Sequence, residues 1–141
     1  MELILMDKLD ALITEHEGLR LFCYTCPSGK VSIGVGRNLT DRGIRHDEAM
    51  LMLANDIAES RSELSHYDWY NNLDDVRKGV MVELHFNIGL TSLLKFRQMI
   101  GAIEKKEYLI AAMHMLNSKW ATQVGFHRSH NMANRLKSGK Y

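Results

Sequence analysis

A chain of 141 residues, 45% hydrophobic and 25% charged, is long enough to bury a core without disulfides or metals and has an ordinary globular balance. Its formal net charge of +1 excludes the global basic field of a nucleic-acid binder. Two cysteines, three positions apart, make no disulfide framework, and one proline with 10 glycines and no low-complexity tract argue against disorder.

The first residues break their apolar run at Asp7 and Lys8. They read neither as a secretory signal nor as a membrane span, so the expectation is a product made in the cytoplasm without membrane insertion. From Leu3 to Glu17 the apolar positions Leu5, Met6, Leu9, Leu12 and Ile13 recur at helical spacing. Glu17 continues that stripe, four residues after Ile13. Gly18 is a good stop, which puts Glu17 in the last helical turn. Burial beside apolar side chains and the negative end of the helix dipole would both hold its proton nearer neutral pH, as a general acid requires.

Leu21 to Tyr24 reads as a strand, and Cys26-Pro27-Ser28-Gly29 carries a type I turn signature. Val31, Ile33 and Val35 then alternate with Ser32, Gly34 and Gly36. A Ser-Gly-Gly face either lets another backbone pack close or leaves an open cleft floor. The hairpin so formed brings Cys26 and Ser32 into one neighbourhood. Asp41-Arg42-Gly43 reads as a turn, and His46–Ser65 as a long helix with Ala49, Leu53, Ile57 and Leu64 on one face. After the polar-aromatic connection 67–72, a helix from about Leu73 carries Val76, Val80, Leu84 and Ile88 and stops at Gly89. Further helices are expected over Ser92–Ile103, Glu107–Trp120 and Phe126–Lys137.

Other chemistry is weaker. Cys23-Tyr-Thr-Cys26 has redox spacing, but the second cysteine leads into a turn and a strand rather than a helix, and no second pair completes a zinc site. Cys23 reads as a small core residue. No two of the seven histidines have the spacing of a helical zinc pair, and His127 with His130 reads as a surface pair. A nucleophilic pairing of Cys26 with a histidine stays open. The methionines read as adaptable core filling, Trp69 and Trp120 as partly buried, and the basic C-terminal run (Lys119, Arg128, Arg135, Lys137, Lys140) as a solvated face.

Glu17, eight residues, Cys26, five residues, Ser32 resembles the catalytic signature of the phage-type lysozymes, the endolysin muramidases of glycoside hydrolase family 24, in which the pattern is Glu-x8-Asp/Cys-x5-Thr. Glu17-Gly18-Leu19-Arg20-Leu21 and Ser32-Ile33-Gly34-Val35-Gly36 are similar to that family's helix end and glycine-rich strand. Phe86-Asn87-Ile88-Gly89 and Lys119-Trp120 with Gly125-Phe126 and Arg128 extend the likeness more thinly. Ser32 keeps the hydroxyl of the usual threonine but loses the methyl that restricts its rotation.

The resemblance implies an α+β, mostly helical, lysozyme-like fold in a single domain over 1–141. A β-containing lobe (about 18–45), a helical lobe (1–17 and 66–141) and a connecting helix (46–65) would flank a cleft. It implies Glu17, Cys26 and Ser32 as catalytic residues and Phe86, Asn87 and Arg128 as substrate contacts, with no cofactor and no metal. Arg37 and Asp56 would form a structural pair. The substrate would be the β-1,4 bond between N-acetylmuramic acid and N-acetylglucosamine in peptidoglycan. The protein would be a monomer that depends on a phage holin to reach the cell wall. Rival expectations are a catalytically weak murein-binding phage component and a Cys–His peptidase or amidase on the stem peptides.

Overall fold

The computed structural model describes residues 7–141, so Leu5 and Met6 of the predicted stripe lie outside the described residues. Among these residues the chain forms nine helices and three short strands, an α+β fold dominated by helix. Contacts divide it into two compact units, one through Leu51 and one from Met52 to Tyr141. The division falls inside the long helix, and the first helix groups with the sheet.

In the first unit, α1 (Lys8–Glu17) starts at Asp7, whose carboxylate accepts from the Asp10 N–H while Asp10 reciprocates. Such a box satisfies two of the otherwise orphaned N–H groups of a helix start. Gly18 ends the helix with φ +79° and ψ +151°, a conformation essentially confined to glycine. Strands β1 (Arg20–Thr25), β2 (Val31–Gly34) and β3 (Arg37–Asn38) form an antiparallel sheet in that order. The β1–β2 turn closes where the Gly29 N–H donates to the Cys26 carbonyl at 2.8 Å. The predicted turn at Asp41 is a one-turn helix, α2 (Leu39–Arg42), because the Asn38 side chain accepts from the Asp41 N–H and caps it. Thr40 Oγ1 accepts from the Val31 N–H, and Lys30 pairs with Asp41, so α2 is stitched to β2.

Helix α3 (His46–Leu64) matches its predicted span closely. Its first-turn Glu48 takes the Arg37 guanidinium at 2.8 Å, so Arg37 pairs with Glu48 and not with Asp56 as predicted. The Arg45 N–H donates to the same Glu48 oxygen, which holds that carboxylate in place for Arg37.

The second unit is an all-helical body: α4 (Asp68–Asn71), α5 (Asp75–Leu94), α6 (Arg97–Glu104), α7 (Tyr108–Leu116), α8 (Lys119–Val124) and α9 (Phe126–Ser138). The predicted α5 stripe is sound, with Val80 and Leu84 fully buried. Gly89 ends the first stretch of α5 as predicted: its dihedrals, φ +79° and ψ +168°, are non-helical, and a second stretch runs on to Leu94. The single helix expected over Glu107–Trp120 is two, because Ser118 accepts from the Ala121 N–H and caps α8. Met81, Met99, Met115 and Met132 fill the core, whereas Met50, Met52 and Met113 are exposed. Methionine at helical spacing therefore marks the core only on a covered face. Arg77 ties the unit's ends together. It caps α9 by donating to the Leu136 and Lys137 carbonyls, and it pairs with the α5 N-cap Asp74. Burial opposes ionisation of Asp74, but the Arg77 N–H and guanidinium outweigh it and hold the carboxyl below its ordinary value.

Candidate active site

The first unit carries three of the predicted site residues on consecutive elements. Glu17 is the last residue of α1. Cys26 follows β1 at the start of the turn, and Ser32 lies in the middle strand, paired across to Tyr24 on one side and Asn38 on the other. Ser32 is only 3% exposed. The turn folds Cys26 back over the strand, and its Sγ lies 3.2 Å from Ser32 Oγ, with thiol or hydroxyl able to donate. The sequence-predicted convergence of Cys26 and Ser32 is thus a direct hydrogen bond. Cys26 is partly exposed, so the pair has a buried hydroxyl side and a solvent-facing sulfur side. Among the described residues no histidine ring is hydrogen-bonded to Cys26.

Glu17 departs from expectation in one respect. Its side chain is exposed, and so are Leu9, Leu12 and Ile13. The stripe is real but uncovered, so the burial half of the general-acid expectation does not hold. What remains is the position at a helix C-terminus, where the dipole is least favourable to an anion. The carboxyl lies over the β2–β3 turn: a methyl group built on Gly36 would come within 2.9 Å of Glu17 Oε2. Sequence reading flagged the Ser-Gly-Gly face as a place for close approach, but nothing in it named Glu17 as what approaches.

Cys23 is exposed rather than buried. Along β1 even Leu21 and Phe22, on opposite faces, are open to solvent, the latter 87% exposed. Alternation assigns a residue to a face; it does not say that the face is covered.

The other predicted residues lie in the second unit. Phe86 is exposed on α5. Asn87 Oδ1 accepts the Trp120 indole N–H at 2.8 Å, which leaves the amide NH2 as the group it offers a ligand. Trp120 is buried, edge-on to Phe96, where partial burial was expected. Arg128 stands 3.6 Å from Glu83, which also takes Arg135. With its side chain only 13% exposed, Arg135 is not part of a solvated face. A neighbouring cavity of about 600 Å³ is lined by Trp120, Phe96, His114, Lys95, Arg97 and Lys119 among others. His130 stacks on Phe126 rather than pairing with His127. Among the described residues no three histidine, cysteine or carboxylate side chains are grouped so as to hold a metal ion.

Two relatives from Dictyostelium discoideum are similar to this chain. Probable T4-type lysozyme 1 is 34% identical over 89 residues, which cover 63% of this chain and 48% of that protein. Probable T4-type lysozyme 2 is 26% identical, with 85% of this chain and 88% of that protein covered. The chain therefore spans about half the length of the first relative and most of the second. The phage lysozyme family model fits residues 14–137, a stretch that includes Glu17, the Cys26–Ser32 pair and all but the last four residues of the helical unit. On that match the chain belongs to the phage lysozyme family.

Proposed function

We propose that this chain is a muramidase that hydrolyses the β-1,4 bond between N-acetylmuramic acid and N-acetylglucosamine of bacterial peptidoglycan. The observation that carries the reading is the Cys26–Ser32 hydrogen bond on a hairpin that follows directly from a helix ending in Glu17. Glycoside hydrolysis needs a proton donor for the leaving oxygen and, on the opposite face of the sugar, a group that positions water. Glu17 supplies the proton to the glycosidic oxygen as the C1–O bond breaks. Cys26 and Ser32 hold the water whose oxygen bonds to C1 and whose proton is released. The result is inversion at C1, which in the two-carboxylate version of this chemistry requires roughly 6.5–9.5 Å between the catalytic groups.

Cysteine changes one part of this plan. As a thiol it serves as a hydrogen-bonding partner for water more than as a base. As a thiolate it would instead attack C1 directly and give retention. Phe86, Asn87 and Arg128 are assigned to contacts with the polymer. The biological role is that of a phage endolysin: a monomer made in the host cytoplasm that acts on the wall after a holin opens the inner membrane.

Purified sacculi test the reading. Muramidase action gives new reducing ends with the mass of one added water, and the first-formed product is the inverted α-anomer. A β-anomer would replace the inverting step with a thiolate nucleophile. New free amines would indicate an amidase or peptidase, anhydro ends a lytic transglycosylase, and no turnover a binding component.

A further inference from the structure

Gly34 ends β2 and Gly36 lies two residues on, in the turn to β3, and the two share a positive backbone angle, φ +69° and +67°. Their surroundings differ. A Cβ added at Gly34 would meet nothing within 4 Å, whereas one added at Gly36 would lie 2.9 Å from Glu17 Oε2, 3.3 Å from its Cδ and 3.6 Å from its Cβ. An added side chain would therefore meet the glutamate along its length, from stem to carboxyl. Backbone angle explains why glycine stands at both positions. It does not explain why the second one is pressed against the proposed acid.

We infer that Gly36 is a positioning residue for Glu17: its bare α-carbon is the surface on which the carboxyl rests. The inference depends on Glu17 being the proton donor, as proposed above. The reasoning concerns which part yields. Among the described residues no hydrogen bond or ion pair fixes the Glu17 carboxyl, so van der Waals contact with the turn is what restricts it. A side chain at position 36 would meet the far end of a flexible glutamate, and that end moves more easily than the sheet. Crowding there would displace the carboxyl with little further cost to the fold. The lesion falls on catalysis because proton transfer needs the acid within hydrogen-bond reach of the leaving oxygen. A misplacement of about 1 Å can cost on the order of 100-fold in rate.

The paired glycine supplies the control. Gly36→Ala and Gly34→Ala carry the same backbone strain, and only the first reaches Glu17. Both are expected to lower the Tm by similar amounts. Gly36→Ala should reduce kcat on sacculi by about 100-fold with KM little changed, and should shift the Glu17 carboxyl carbon signal in NMR. Gly34→Ala should leave kcat and the Glu17 signal as in the unsubstituted protein. If Gly36→Ala does not fold, Gly36→Asn carries the same Cβ on a residue that tolerates positive φ, and its kcat and carboxyl signal take the place of the first variant's. An unchanged kcat and Glu17 signal in the folded position-36 variant would overturn the inference, as would an equal loss in Gly34→Ala. The NMR arm reads the contact without any turnover. A protein that does not cleave sacculi therefore removes the proposed function, while an unshifted Glu17 signal removes the positioning role.

Discussion

The two units solve opposite problems. From Met52 onward the chain builds a core: every buried apolar side chain among the described residues lies at Leu64 or later. Through Leu51, the one buried side chain among the described residues is a polar one, Ser32, and it is the partner of Cys26. The first unit is held by caps, turns and strand pairing, and it carries the proposed chemistry. The second is held by apolar packing, which supplies most of the free energy of a folded domain. Local opening is characteristically easier where buried apolar contacts are few, so the first unit is expected to open before the second.

The sharpest way to break that contrast is a matched pair of leucines. Leu84→Ala, at a fully buried site in α5, should cost about 2–5 kcal/mol in urea unfolding. Leu21→Ala, on exposed β1, should stay within about 0.5 kcal/mol. Comparable losses at both would show that the first unit has an apolar core after all.

A smaller effect is expected inside the helical unit. Glu83→Gln removes the anion shared by Arg128 and the largely buried Arg135. A partly buried guanidinium left without its partner should lower stability by about 1–3 kcal/mol, seen as a shift of the urea midpoint at constant slope. No shift would mean that Arg135 is as solvated as the sequence suggested.

The smallest effect is pH dependence in the first unit. The hydrogen bond from Arg37 and the Arg45 N–H hold the Glu48 carboxyl below its ordinary value. A depressed carboxylate contributes stability that is fully present above the ordinary range of about 4.3 and is lost as pH falls through its lowered folded value. Amides of β3 and the start of α3 should therefore lose protection in acid before those of α5. Simultaneous loss throughout would show that the units do not open separately.

The second unit was the more legible in sequence, and the reason is physical. A helix packed on one face writes its core into the chain every three or four residues, so Val80 and Leu84 could be placed directly. Where prediction failed there, at Ser118, a single capping residue broke a continuous apolar run, whereas at Gly89 the glycine itself marked the break. In the first unit periodicity assigned faces correctly, but nothing local says whether a face is covered, so Cys23 and Glu17 were expected to be buried and are exposed. The Cys26–Ser32 contact was readable because a short turn dictates it. The approach of Glu17 to Gly36 joins a helix end to a turn 19 residues later, and no local signal encodes that.

Glu17→Gln tests the central claim most directly, because it keeps the shape of the side chain and removes its ionisable proton. Assayed on purified sacculi beside the unsubstituted protein, with Tm as the folding control, it should abolish the release of reducing ends while the Tm stays in place. Near-normal release by the folded variant would contradict the assignment of Glu17 as the acid.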